Sequence, residues 1–115
     1  MLLDLDRAIK AHIDWLGRLM QALQTHHVSA DLRRETCDGA CLFGQWLARE
    51  AVAQGYDAET LQPISACHRT MHAEASALLQ PGIGDEDYFA ALERFCRTAV
   101  AFNRLAAAQP FRQSA

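Results

Sequence analysis

Lysine, proline and glycine are scarce in this sequence, and their scarcity excludes several classes of protein. With 3 Pro and 6 Gly among 115 residues, the chain has neither the composition of a disordered segment nor that of a fibrous repeat. Lys10 is the only lysine, and 14 acidic residues against 11 basic ones give a net charge of -3. This charge balance disfavours binding to nucleic acid or to an anionic membrane surface.

Long apolar runs are missing as well. No stretch of the sequence approaches the roughly 18 consecutive apolar residues that a membrane span needs. The N-terminal segment carries Asp4 and Asp6 where a signal peptide would carry basic residues. We therefore expect a cytoplasmic protein with no membrane partner. In that reducing compartment the cysteines are expected to bind metal or undergo redox chemistry rather than form disulfides. There are four of them: Cys37, Cys41, Cys67 and Cys96.

Alanine and leucine dominate the apolar content, with 21 and 14 residues, which favours helix over strand. The hydrophobic periodicity predicts four helices, over residues 2–26, 40–54, 62–80 and 85–108, with a polar connector at 28–39. Pro63 is expected in the first turn of the third helix, and Gly55 is expected to stop the second. We predict an all-α fold, an antiparallel four-helix bundle forming a single domain over residues 1–115.

Apolar stripes on the first and last helices predict which faces are buried. The stripe of the first helix has Trp15 beside it and consists of Leu5, Ile9, His12, Leu16, Leu19 and Leu23. The stripe of the last helix consists of Phe89, Leu92, Cys96, Ala99, Val100 and Asn103. Cys96 is therefore expected in the core.

Three sequence features point to a metal site. His68 and His72 are four residues apart on a predicted helix, so both imidazoles lie on one face and can chelate one ion. His12 lies within an apolar stripe, where a histidine is more often a core residue than a ligand. Cys41 begins the short second helix, where the helix N-terminus favours the thiolate that a metal needs. A small buried side chain is the alternative role for Cys41.

The four side chains together carry more weight than any one of them. His12, Cys41, His68 and His72 come from three different helices, and a bundle interior can receive all of them. Three imidazoles and one thiolate complete a tetrahedral set for zinc. Four protein ligands leave no position for a catalytic water, so a structural or sensory site is expected and an enzyme is not.

The motif around Cys41 resembles the chemoreceptor zinc-binding (CZB) domain family. The segment Cys41-Leu42-Phe43-Gly44-Gln45-Trp46 is similar to the Cys-x-x-Gly-x-Trp core of that family, with an aromatic residue before the glycine. The His68-x-x-x-His72 pair, and His12 followed three residues later by Trp15, add to the resemblance. These motifs extend from residue 12 to residue 72.

The resemblance implies a bacterial, cytoplasmic and usually dimeric regulatory domain that binds zinc through one cysteine and three histidines. It implies sensing of zinc or of hypochlorous acid, with a chemoreceptor or a diguanylate cyclase as the signalling partner in chemotaxis or cyclic-di-GMP signalling. Because this sequence carries no such domain of its own, we expect it to act by itself, as a zinc buffer, or on a partner in trans. Oxidation of Cys41 is the expected redox switch. Cys37 and Cys67 are candidate resolving thiols, although small core residues are the simpler interpretation.

Two other kinds of metal site use histidines on helices, and each has its own sequence motif. A di-iron bundle would need Glu-x-x-His motifs, and a zinc hydrolase would need His-Glu-x-x-His; the sequence has neither. The remaining alternative is a helical dimerisation or interaction module with incidental histidines. Metal analysis of the purified protein distinguishes that module from a zinc protein.

Overall fold

The structure, a computed structural model, describes residues 5–36 and 41–107. These residues form α1 (Leu5–Thr25), α2 (Ala30–Thr36), α3 (Leu42–Gln45) with a π-helical turn (Trp46–Glu50), α4 (Ala58–Leu78) and α5 (Asp85–Ala107). The described residues contain no strand, so the prediction of an all-α helical bundle is confirmed. None of the described helices combines the length and the apolar character that a membrane crossing requires.

The long helices follow local signals in the sequence. Asp57 caps α4, because its carboxylate accepts a hydrogen bond from the backbone N–H of Thr60 at 3.3 Å. This cap starts α4 at Ala58, four residues before the predicted start. The prediction for Pro63 was therefore wrong: the proline lies in the second helical turn and leaves one carbonyl of the first turn without its usual donor.

The second predicted helix is shorter than its pattern suggested. Cys41 is the N-cap of α3. The helical segment ends at Glu50, the last residue of the π-helical turn. The Ala51 N–H closes this turn by donating to the carbonyl of Trp46 at 2.9 Å. Gly55 follows with a φ of 100°, a conformation that suits glycine, and it ends the turn that precedes α4.

Helix α2 lies inside the segment that was predicted to be a polar connector. Ser29 caps it, with the Leu32 N–H donating to the Ser29 hydroxyl at 3.0 Å. Leu32 and Thr36 are buried against the bundle. A helix of seven residues has little stability of its own, so these tertiary contacts explain why the sequence pattern did not reveal it.

Helices α4 and α5 pack closely side by side and are joined by a short turn, so they run antiparallel. The C-terminal ends of α1 and α4 meet around one cleft, lined in part by Ala22, Leu23, Leu78 and Leu79. The core is continuous between the helices, and its largest fully buried side chains are Trp15, Trp46, Leu19, Ile64, Met71, His68 and His72.

The predicted buried stripe of α5 was wrong for most of its residues, since only Leu92 and Ala99 of that stripe are partly buried. The core contains Ala91, Phe95 and Phe102, which are spaced four and seven residues apart. Phe89 is 65% exposed and Val100 is 51% exposed. Cys96 was expected in the core but is exposed. The reason is that α5 carries two apolar faces about 100° apart, and periodicity cannot say which one meets the bundle.

The prediction for α1 was partly correct. His12 and Leu19 are buried as expected, and Ile9, Leu16 and Leu23 are partly buried at the edge of the core. Trp15, however, lies at the centre of the buried face, between Ala8 and Ala22. Helix α1 thus has a buried face and a second apolar face, rotated from it by about 100° around the helix axis. The second face includes the exposed Ile13 and Met20.

Candidate metal centre

The structure brings the four predicted ligands to one point in the core. One ligand atom from each of His12, Cys41, His68 and His72 lies within 4.8 Å of the other three. All four side chains are at most 5% exposed. Helix α1 supplies His12, the start of α3 supplies Cys41, and one face of α4 supplies the remaining two.

Two of the distances between these atoms match the edges of a tetrahedral zinc site. The Nε2 atoms of His68 and His72 are 3.1 Å apart, and Cys41 Sγ is 3.5 Å from His68 Nε2. Zn–N bonds of about 2.0 Å and a Zn–S bond of about 2.3 Å give tetrahedral edges of about 3.3 Å between two nitrogens and about 3.5 Å between nitrogen and sulfur. These two pairs therefore already stand close to the separations that a shared zinc ion would impose.

The unpaired nitrogen of His12 points to the same conclusion. His12 Nε2 is buried and has no hydrogen-bond partner among the described residues. Burying such a nitrogen without a partner costs about 1–3 kcal/mol. Five aromatic rings surround the His12 imidazole at centroid distances of 5.1–6.0 Å: those of Trp15, Phe43, His68, His72 and Phe102. A metal ion would give this nitrogen the partner that the aromatic surroundings do not supply.

The electrostatics of the site keep the imidazoles neutral, as metal binding requires. Burial, with a smaller contribution from the neighbouring His72, lowers the pKa of His12 from 6.5 to about 4. Burial also lowers the pKa of His68 to about 3, with His72 and His12 adding to the effect. Both rings therefore present a free nitrogen lone pair at neutral pH.

A backbone carbonyl fixes the orientation of His72. Its Nδ1 lies 2.8 Å from the carbonyl oxygen of Thr36. A carbonyl can only accept, so Nδ1 carries the proton and Nε2 keeps the lone pair that faces His68. The Trp15 indole stacks on the same imidazole, with ring centroids 4.2 Å apart and planes 15° apart.

Of the other cysteines, the two that the structure describes, Cys67 and Cys96, are not part of the cluster. Cys67 is partly buried and its thiol donates a hydrogen bond to the carbonyl of Thr98 at 3.6 Å. Burial, with the negative charge of Glu74, raises the pKa of the Cys67 thiol, which makes it a poor nucleophile and favours the simpler interpretation of a packing residue. Cys37 lies outside the described residues.

Sequence reasoning missed two residues that surround the ligands. Thr36 belongs to the unpredicted α2, and the signal that could have found it is Ser29 followed by Asp31, a capping residue with an acidic first turn. Phe102 of α5 contacts the rings of His12, Phe43 and His68. It was not recognised because the buried face of α5 was placed on the wrong side.

The comparisons with known proteins agree with the geometry. The chemoreceptor zinc-binding domain family matches residues 12–79, which is more than half of the chain and includes all four clustered side chains. Searches of curated proteins and of solved structures found no match. A group of three histidines and one cysteine in a chain matched by this family identifies zinc as the metal. This chain belongs to the chemoreceptor zinc-binding domain family.

Proposed function

We propose that this protein is a cytoplasmic, non-enzymatic zinc sensor in which His12, Cys41, His68 and His72 bind one zinc ion and Cys41 acts as the redox switch. The observation that carries the proposal is the donor set itself, a single sulfur among three buried nitrogens that all lie within 4.8 Å of one another. Four protein ligands leave no open position for a catalytic water. The site is therefore suited to sensing rather than to hydrolysis.

Cys41 is the ligand that an oxidant would change. Metal binding keeps a cysteine as the thiolate, which is the form that oxidants attack. The thiolate reacts with hypochlorous acid to give a sulfenic acid and a chloride ion, so the sulfur loses two electrons and the chlorine gains them. The sulfenic acid is a poor zinc ligand, and the ion is then held by three imidazoles alone.

A cleft gives reagents a route to Cys41. It encloses about 250 Å³ and is lined in part by Asp14, Trp15, Arg18, Glu35 and Cys41. Arg18 pairs with Asp14 at 2.8 Å and with Glu35 on α2. A molecule as small as hypochlorous acid fits this volume.

Oxidation of Cys41 would be transmitted through α3. Cys41 is the N-cap of α3, and Phe43, two residues later, packs against the rings of His12 and His68 at 5.4 and 5.2 Å. Once the bond between Cys41 and the metal is lost, α3 is no longer tied through the ion to α1 and α4, and the packing of Phe43 remains as one of its contacts with them. The proposed signal is a change in the position of α3.

Oxidant-driven zinc release tests this proposal. Purified protein should contain one zinc per chain, and hypochlorite should release it to a chromophoric chelator in proportion to sulfenic acid formation. Cys96→Ser is the matched control, because Cys96 is an exposed thiol outside the cluster, and its zinc release should equal that of the parent. Cys41→Ser should lose the oxidant-dependent release. Equal release from Cys41→Ser and the parent would contradict the switch, and protein without zinc would favour a plain interaction module.

We also propose that the chain forms a homodimer through α1 and α5. The second apolar face of α1 consists of Ile9, Ile13, Leu16, Met20 and Leu23, at spacings of four and three residues. This repeat matches the seam that two packed helices share. Ile13 and Met20 are 62% and 50% exposed, and α5 exposes Phe89 and Val100 in the same way. A second copy of the chain would cover both faces.

The oligomeric state tests the homodimer. Sedimentation velocity should give the mass of a dimer for the parent and that of a monomer for Ile13→Glu. Val52→Glu is the matched control, because Val52 is 59% exposed but lies outside α1 and α5, and it should remain dimeric. A monomeric parent, or an Ile13→Glu variant as dimeric as the control, would contradict the assignment of this face.

Membership in the chemoreceptor zinc-binding domain family supports a proposal for the signalling partner. We propose that the zinc-dependent position of α3 is read by a chemoreceptor or a diguanylate cyclase in trans. A pull-down with zinc-loaded and oxidised protein should retain such a partner in only one of the two states. Equal retention in both states would contradict a role for the metal in signalling.

A further inference from the structure

A buried hydrogen-bonded chain connects α1 and α2 beside the metal centre. The indole Nε1 of Trp15 donates to the hydroxyl of Thr36 at 3.1 Å, and that hydroxyl donates to the carbonyl of Leu32 at 2.7 Å. Trp15 and Thr36 are only 1% and 2% exposed. The Thr36 hydroxyl thus accepts one hydrogen bond and donates another, and its position is fixed by both.

The same two residues contact one ligand of the cluster from different directions. Trp15 stacks on the imidazole of His72 and limits its tilt. The Thr36 carbonyl accepts a hydrogen bond from Nδ1 at the edge of the same ring. Together these contacts restrict both the rotation of the ring and the choice of tautomer. Neither residue offers a ligand atom of its own to the cluster.

The place of Thr36 at the end of α2 explains why its carbonyl is available. Thr36 is the last residue of α2, and the last four carbonyls of a helix have no donor within the helix. The His72 N–H therefore pairs with one of these terminal carbonyls. A helix of seven residues that ends beside the site is thus connected to the metal centre through one ligand.

We propose that Trp15 and Thr36 are positioning residues for His72, which hold its Nδ1-H tautomer and direct Nε2 at the zinc ion. The inference rests on the proposed function, in which His72 is a ligand. The hydroxyl of Thr36 holds the indole, the indole holds the imidazole plane, and the carbonyl of Thr36 holds the imidazole proton. Loss of the hydroxyl should therefore weaken zinc binding although it lies outside the coordination sphere.

Thr36→Val and Trp15→Phe test the inference. Val removes the hydroxyl at nearly constant volume, and Phe keeps an aromatic face but removes the N–H. Each variant should bind zinc about 10–100-fold more weakly than the parent in a competition assay with a chelator. Thr36→Ser, which keeps the hydroxyl, should restore the affinity to within about threefold of the parent value.

Thr25→Val is the matched control. Thr25 is also the last residue of its helix, and its hydroxyl also donates to the carbonyl four residues earlier, at 2.9 Å, but it is exposed at the end of α1. The chemical change is the same as in Thr36→Val, and zinc affinity should equal that of the parent.

The tautomer of His72 in metal-free protein gives a readout that a merely structural role would not change. Nitrogen-15 NMR of the parent should show His72 protonated at Nδ1, and the proportion of this tautomer should fall in Thr36→Val and Trp15→Phe. An unchanged tautomer in both variants would overturn the inference, whatever happens to zinc affinity. A parent that binds no zinc would refute the proposed function, whereas the tautomer would still decide the positioning role. If Thr36→Val does not fold, Thr36→Ser and Trp15→Phe decide.

Discussion

Acid should destabilise the metal-free protein because two buried imidazoles resist protonation. Burial lowers the pKa of His12 to about 4 and that of His68 to about 3, both from 6.5. Below pH 6.5 the unfolded chain protonates these histidines while the folded chain does not. The unfolded state then binds more protons, so the free energy of unfolding falls as the pH is lowered. Above pH 6.5 both states are neutral and the effect disappears.

The size of the effect follows from the same values. Between pH 7 and pH 5 the free energy of unfolding falls by about 2 kcal/mol for each of His12 and His68, or by about 4 kcal/mol for the two together. Small domains have unfolding free energies of about 5–15 kcal/mol. Acid near pH 5 should therefore remove a large share of the stability of the metal-free chain.

Urea unfolding of metal-free protein at several pH values between 7 and 5 measures this loss. His68→Gln removes one of the two imidazoles, so its unfolding free energy should fall by about 2 kcal/mol less than that of the parent over this range. His27→Gln is the control, because His27 is an exposed histidine outside the cluster, and it should follow the parent. If parent and His68→Gln show parallel pH profiles, the reasoning from buried neutral imidazoles is refuted.

Four further substitutions test other parts of the account. Cys41→Ser should lower zinc affinity by about 100-fold or more, a larger effect than loss of an outer hydrogen-bond partner, measured by chelator competition. Gly55 has a φ of 100° and open space around its Cα, so Gly55→Ala should lower the unfolding free energy by about 1 kcal/mol. Gly17→Ala, equally unobstructed but within α1, should raise it by about 0.5–1 kcal/mol. Pro63→Ala should raise the unfolding free energy by about 1 kcal/mol or more, because it restores a backbone donor inside α4. Urea unfolding measures the two glycine variants and the proline variant, and an unfolding free energy equal to that of the parent would contradict the corresponding assignment.

Local signals were sufficient for the long helices but not for the connector. The charged α2 has only two buried residues, Leu32 and Thr36, so its burial arises from contacts with α1 and α4 that no local pattern records. The predicted start of α4 was too late because it was placed from Pro63, whereas the N-cap is Asp57. A short polar side chain before the first turn proved a stronger signal than the proline.

Periodicity also failed where a helix has two apolar faces. On α5 the predicted stripe through Phe89 and Val100 is exposed, and the face through Phe95 and Phe102 is buried. Both faces satisfy the same helical spacing, and only the packing of the other helices chooses between them. The exposed face with Phe89 and Val100 is part of the surface that we assign to contact with a second copy of the chain.

The donor set of the candidate site could be predicted because the residue types themselves indicate metal binding. His68 and His72 fall on one helical face by spacing alone, and Cys41 and His12 complete a donor set that suits zinc. Their arrangement in space was not predictable from spacing. The stacking of Trp15 and the carbonyl of Thr36 depend on how α1 and α2 meet α4, which is a property of the folded chain.

X-ray absorption at the zinc edge tests the central claim most directly. The zinc-loaded protein should show one sulfur at about 2.3 Å and three nitrogens at about 2.0–2.1 Å, with no oxygen ligand. A first shell without sulfur, or one filled by oxygen, would contradict the assignment of His12, Cys41, His68 and His72 as the ligands.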